Sequence, residues 1–249
     1  MIARKLRRAA RTVARRAGFE VCRSTVDSRA DLRLVRHLAV HRVSTVLDVG
    51  ANRGQFAGEL LRAGFPGRVV SFEAIPEVHR QLTAEAAAHG DRWHVAPCCA
   101  LGDRAGEARF HVTNNLVSSS LLAPNERSNA IGKPMRERET IAVDVRRLDE
   151  MFVPDAQTGV LFLKIDVQGA EPLVLEGAAR LLPGVQGLLL EMTVAPLYDG
   201  QMLADELHAL AVSLGFGLWD HSPVLRDART ARLLQYDATY FRDAAPAGS

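Results

Sequence analysis

Asp48, Glu73, Asp166 and Glu191 each stand at or near the end of a short apolar run, and a glycine turn, Gly50-Ala51-Asn52-Arg53-Gly54, follows the first of them. Acids at strand ends lie on the edge where open α/β sheets bind ligands. Four carboxylates crowded there repel one another unless a cation or hydroxyl groups occupy the space between them. Helix capping accounts for one or two such acids and poorly for all four. Within Phe162-Leu163-Lys164-Ile165-Asp166, alternate residues share a face, so Phe162, Lys164 and Asp166 point the same way. A turn through which the backbone approaches a ligand, flanked by Asp48 and Glu73, is what an adenosine-bearing cofactor needs.

Two cofactors compete for that description. Nicotinamide dinucleotides use G-x-G-x-x-G, whose last glycine lets a helix N-terminus reach the pyrophosphate. Here Asn52 stands where the second glycine belongs. S-adenosylmethionine has no phosphate and carries an ammonium and a sulfonium, so acids and carbonyls favour it, and Glu73 can accept from both ribose hydroxyls. The acid-rich edge therefore points to S-adenosylmethionine ahead of a dinucleotide.

The elements that must hold these residues alternate. The pattern predicts a helix over Asp31 to His41, a strand to Val49, a helix from Gly54 to Ala63, a strand from Arg68 to Phe72 and a helix from Pro76 to His89. A third strand, Trp93 to Ala96, is expected to continue toward Ala100. The rhythm then breaks: Gly102 to Gly106 reads as a turn, Ala108 to Val112 as part of a hairpin-like insertion, and Asn114 to Glu139 as a lid, binding loop or disordered insertion. Parallel order is expected to resume with Thr140 to Val145, then Val160 to Asp166, a helix from Pro172, a strand from Gly187 to Met192, a helix from Leu203 to Leu214, and last strands at Gly217 to Trp219 and Ala238 to Phe241. The division is a basic segment at 1–30, one α/β domain at 31–242 with a mostly parallel sheet, and a disordered tail at 243–249.

A net charge of +2 is too small to argue for nucleic acid. The positive charge is concentrated instead: eight Arg and Lys fall between Arg4 and Arg23 against Glu20 alone, with Ile2, Leu6, Ala9, Val13 and Ala17 at helical spacing. That basic amphipathic helix is a candidate peripheral anchor on an anionic membrane surface, or a solvated cap. Cys22, Cys98 and Cys99 have no zinc or redox spacing and read as reduced thiols of a cytosolic protein. Lysine is scarce, only Lys5, Lys133 and Lys164, which singles out the last. His37 and His41, one turn apart, read as surface histidines rather than metal ligands.

The chain resembles the FkbM-type methyltransferases, which have the Rossmann-like class I S-adenosylmethionine-dependent fold. Leu47 to Gly54, Phe72-Glu73-Ala74 and Ala100-Leu101-Gly102-Asp103 carry the resemblance, and Leu163-Lys164-Ile165-Asp166-Val167-Gln168-Gly169-Ala170-Glu171 with Val174 to Ala178 is its most specific part. It implies methyl transfer, usually to oxygen and often on sugars of glycolipids, polysaccharides or polyketides; the expectation for this chain is a hydroxyl on a sugar of a glycolipid or secondary metabolite. Carried over, Asp48, Gly50, Asn52 and Gly54 hold the methionine part, Glu73 the ribose, and Ala100, Leu101 and Asp103 flank the adenine. Asp166 is the first candidate for the base, or a partner of the cofactor amine, with Lys164 and Glu191 beside it and His94 and His221 in reserve. A magnesium ion between Asp166 and Glu191 is a further candidate, and Glu171 reads as a charge at a helix N-terminus. The rivals are a nicotinamide-dependent oxidoreductase and a non-catalytic, membrane-associated adaptor.

Overall fold

The computed structural model describes residues 13, 14, 16–18, 25–129 and 135–242. Most of the basic segment, Cys22, Gly132 to Pro134 and the tail at 243–249 lie outside these. Among the described residues no helix is long and apolar enough to cross a membrane.

Branched apolar runs form the strands of a seven-stranded sheet. β1 (Val43–Val49), β2 (Arg68–Phe72), β3 (Trp93–Val95), β7 (Val160–Ile165) and β8 (Val185–Thr193) are parallel, while β10 (Leu233–Phe241) runs antiparallel between β8 and the edge strand β9 (Gly217–Arg226). The spatial order is β3-β2-β1-β7-β8-β10-β9. Counting only these seven in chain order gives 3-2-1-4-5-7-6 with the last strand reversed, the class I methyltransferase arrangement. A dinucleotide fold keeps order 3-2-1-4-5-6 and all strands parallel. The order reverses between β1 and β7, and the glycine turn sits at that crevice.

Both faces are covered, as a parallel sheet requires. Helices α1 (Ala30–Val40) and α2 (Gln55–Arg62) cover one side, where Leu38, Val46, Leu60, Val69 and Phe162 are buried together. On the other side Leu47, Leu163, Ile165, Leu188 and Leu190 pack with α5 (Glu171–Gly177) and α6 (Ala204–Ser213). Each such fully buried aliphatic side chain contributes roughly 1.5–3 kcal/mol. α3 (Pro76–Ala87), with proline at its first position, carries the chain from β2 to β3.

The insertion differs from expectation. Ala100–Leu101 does not extend β3; it forms β4 of a separate three-stranded sheet, parallel to β6 (Glu137–Arg146), which pairs antiparallel with β5 (Gly106–Thr113). The 140–145 run therefore belongs to the insertion's hairpin and not to the central sheet. Period-two alternation is the same in either sheet, so the pattern alone could not choose. α4 (Leu148–Met151) returns the chain to β7.

Candidate active site

At the end of β1 the chain turns at Gly50, which has φ +74°; a Cβ there would stand 1.9 Å from the Asp166 carbonyl oxygen. The Gly50 and Ala51 amides donate to Phe72 O at 3.1 and 3.0 Å, tying the turn to β2. Glu73 then reaches back: Oε2 accepts from the Asn52 amide at 2.9 Å and Oε1 from the Ile75 amide at 2.8 Å. Each carboxylate oxygen keeps a lone pair for a ligand. Burial raises the Glu73 pKa, and the two amides pull the other way. Above these groups lies a cavity of about 250 Å³. Gly50, Asn52 and Glu73 line one part of it, Ala100 and Leu101 another, and Lys164, Asp166 and Gln168 a third. The expected binding loop supplies Leu116, Val117, Ser119 and Leu121 to the same wall, joined by Phe110 of β5.

Lys164 is 4 % exposed and organises the edge from beneath. In-register pairing places it beside Asp48, and Asp48 beside Ser71. Its ammonium stands 3.0 Å from Asp48 Oδ1 and 3.6 Å from Asp166 Oδ2, and donates to Gly50 O at 3.0 Å and Val49 O at 3.3 Å. Asp48, fully buried, also accepts from Ser71 Oγ at 3.1 Å, and Ser71 Oγ from the Trp93 indole at 3.0 Å. Burial opposes the lysine's charge, but Asp48 and Asp166 outweigh it and raise its pKa. The Phe56 ring centroid lies 5.5 Å from the ammonium.

Gln168 occupies the place anticipated for a cation. Its amide nitrogen donates to Asp166 Oδ1 at 2.8 Å and Glu191 Oε2 at 2.7 Å, using both protons. The tyrosine hydroxyl of Tyr198 lies 3.0 Å from Gln168 Oε1 and 2.8 Å from Ser118 O, sharing its one proton between them. The magnesium ion considered between Asp166 and Glu191 finds no support: a neutral amide lies between the two carboxylates, and no group of three metal-ligating side chains occurs among the described residues. Burial and neighbouring Asp166 hold the Glu191 pKa well above the usual carboxylate range. Glu171 is more than a helix-end charge: its Oε1 accepts from the Val167 and Gly169 amides, both at 3.1 Å, and shapes the loop that carries Gln168 at φ +57°. Burial lifts its pKa to about 7. Gln168→Leu is expected to leave both acids without their shared donor and to lower unfolding stability by about 2–3 kcal/mol in urea melts; an unchanged midpoint would refute the bridge.

The other expected residues divide cleanly. Gly50, Asn52, Glu73, Ala100, Leu101, Lys164 and Asp166 meet at the cavity. Asp48 does not line it and acts through Lys164. Gly54 is also off the wall; it is glycine because a Cβ would strike Trp93 at 2.5 Å, and its φ is +86°. Asp103 is partly exposed, off the cavity wall and 3.3 Å from Arg104, Glu191 lies behind Gln168, and His94 and His221 are exposed away from the chamber. Sequence reasoning missed Gln168, which is neutral although it lies in the turn just past Asp166, and Tyr198 and Asp237, the latter within β10.

The sequence matches the methyltransferase FkbM domain family over residues 48–218, well over half of the chain. Methyltransferase 1 of Beauveria bassiana is 28% identical over 145 residues, covering 54% of this chain and 58% of that protein. Methyltransferase sdnD of Sordaria araneosa is 28% identical over 194 residues, 70% of this chain and 73% of its own length. The 2-O-methyltransferase NoeI of Sinorhizobium fredii is 27% identical over 164 residues, 63% and 66% respectively. The match thus spans somewhat over half of the first relative's length. The strand order, the glycine turn with Glu73, and the Lys164 to Glu171 loop agree with this match, and the chain belongs to the FkbM methyltransferase family.

Proposed function

We propose that the protein transfers the methyl group of S-adenosylmethionine to a hydroxyl on a sugar, in a glycolipid or a secondary metabolite. The observation that carries the cofactor reading is Glu73. It lines the cavity with each oxygen fixed by one backbone amide and free to accept once more, which suits a ribose diol. Ala74, Ile75 and Leu101 offer an apolar slot for adenine, and the carbonyls of the glycine turn suit the cationic methionine end. Lys164 is the only cation among the described residues lining the cavity, and two acids already engage it. That leaves no free side-chain cation on this wall for a pyrophosphate. The relative named as a 2-O-methyltransferase supports oxygen as the acceptor atom.

The reaction is an in-line displacement: the acceptor oxygen bonds the methyl carbon as the carbon–sulfur bond breaks, and the sulfur leaves as a neutral thioether. Positioning supplies most of the acceleration. Asp166 takes the hydroxyl proton, and Lys164 and the Gln168 amide hold its carboxylate in place until then. Calorimetric titration with S-adenosylhomocysteine is expected to show micromolar binding, weakened about ten- to hundredfold in Glu73→Gln, the ~1.5–3 kcal/mol of hydrogen bonding to a charged group. Folded protein that ignores S-adenosylhomocysteine, or that binds NAD instead, would sink this reading.

A further inference from the structure

A second cavity, of about 120 Å³, lies between α1, α2 and the central sheet, and Phe56 lines both it and the cofactor chamber. Its lining is two-sided. Leu34, Leu60 and Leu189 give it an apolar floor, while Asp237, Asp220 and Ser222 line it from the two last strands. Strand register explains the polar side. Glu191 pairs with Asp237, and Asp237 with Ser222. The β7–β8 register pairs Ile165 with Leu190, so Asp166 falls beside Glu191 one residue further on. Asp166, Glu191, Asp237 and Ser222 therefore form one cross-strand row on the face that α1 and α2 cover, leading from the first cavity to the second.

Most acids near this row have partners. Asp220 accepts from Arg33 at 2.8 Å, and the same guanidinium donates to Ser222 Oγ at 2.7 Å. Glu191 is held by Gln168 and by Gln235, each at 2.7 Å. Asp31 pairs with Arg29. Asp237 alone in the row has no hydrogen-bonding or ion-pair partner among the described residues. A half-buried carboxyl that lines a cavity without a partner is open to a ligand's hydrogen-bond donors.

We propose that this second cavity binds the methyl acceptor, taking a polyhydroxylated head with a short apolar segment, and that Asp237 receives hydrogen bonds from the head's hydroxyls. The proposal rests on the methyl-transfer reading of the first cavity, from which Phe56 separates it. Burial, with Asp166 adding its repulsion, lifts Asp237 to about 7, so both protonation states are populated near neutrality. A hydroxyl can pair with either state, donating to the carboxylate or accepting from the acid. An ammonium pairs only with the ionised one. Leu34, Leu60 and Leu189 then cover the apolar segment, and the reacting hydroxyl passes Phe56 toward Asp166.

Hexyl β-D-glucoside, which carries a polyol head on a short chain, is the probe. Titrated into protein saturated with S-adenosylhomocysteine and followed by ligand-observed NMR, it is expected to bind saturably. Asp237→Asn should weaken it at least fivefold, and Leu34→Trp, which fills the cavity from α1, at least tenfold. Both variants should keep S-adenosylhomocysteine affinity within twofold of the parent, which also certifies that they fold. Equal glucoside affinity in the parent and in Asp237→Asn, no saturable binding to the parent, or tighter binding of hexylamine would each overturn the proposal. Binding of the glucoside by a protein that ignores S-adenosylhomocysteine would instead remove the methyltransferase reading and leave the cavity's assignment to a polyol standing.

Discussion

Lys164→Met is expected to abolish S-adenosylhomocysteine binding and to lower the unfolding free energy by about 3–5 kcal/mol, the usual cost of breaking a buried ion pair from one side. The lysine is 4 % exposed and Asp48 not at all. Without the ammonium, Asp48 retains Ser71 Oγ as its one hydrogen-bond donor and is otherwise stranded as a charge in the core. The Gly50 and Val49 carbonyls lose their shared donor at the same time, so the turn that frames the cavity loosens. Arginine is not a substitute, because a planar fork cannot reach two carbonyls and two carboxylates from the space of a compact ammonium. The informative comparison is the pair Lys164→Met with Asp48→Asn, which removes both charges. If the damage in the single variant comes from the stranded carboxylate, the double variant recovers a large part of the stability in denaturant melts while cofactor binding stays lost. A single variant as stable as the parent would show that Lys164 does not hold the strand edge.

That result bears on what a sequence can reveal about such a site. The end of β1, the turn, Glu73 and Asp166 were legible because each is local: an apolar run, an acid, then residues that break the run. Lys164 stood out by scarcity and parity, and its position beside Asp48 follows from the β1–β7 register. Its role did not follow, since a lysine aimed at substrate and one aimed at its own backbone have the same spacing. Gly54 shows the same limit. It belongs to the turn motif, yet its conformation and the Trp93 ring behind it are reason enough for glycine. Gln168 was hidden because a neutral amide between two acids exists only after folding brings Asp166 and Glu191 together. Asp237 was hidden because β10 begins at Leu233, earlier than the apolar run at Ala238 to Phe241 indicated. The insertion reads as a hairpin in the sequence, but the partner of Thr140 to Val145 does not, because pairing choice is a tertiary fact.

The largest effect on the site from the smallest chemical change is expected at Gly50. Gly50→Ala adds one methyl group where a Cβ would lie 1.9 Å from the Asp166 carbonyl oxygen, and it does so at φ +74°. The backbone conformation alone costs about 1–2 kcal/mol for an L-residue. The collision is the larger matter: the turn and the Asp166 segment must separate by about 1.5 Å before carbon and oxygen reach ordinary contact. That separation works against the Asp166 amide bond to Val49 O, 3.1 Å long, and against the lysine that spans the same gap. Both sides of the cofactor chamber move apart, so S-adenosylhomocysteine affinity should fall more than a hundredfold even in protein that still folds. Gly64→Ala separates the two causes. Gly64 has φ +98° but nothing within 4 Å of a built Cβ, so it carries backbone strain without collision. Its variant should lose stability by about 1 kcal/mol and keep the parent's affinity. Should Gly50→Ala bind as tightly as Gly64→Ala, the close approach of β1's turn to Asp166 would not be what shapes the cofactor chamber.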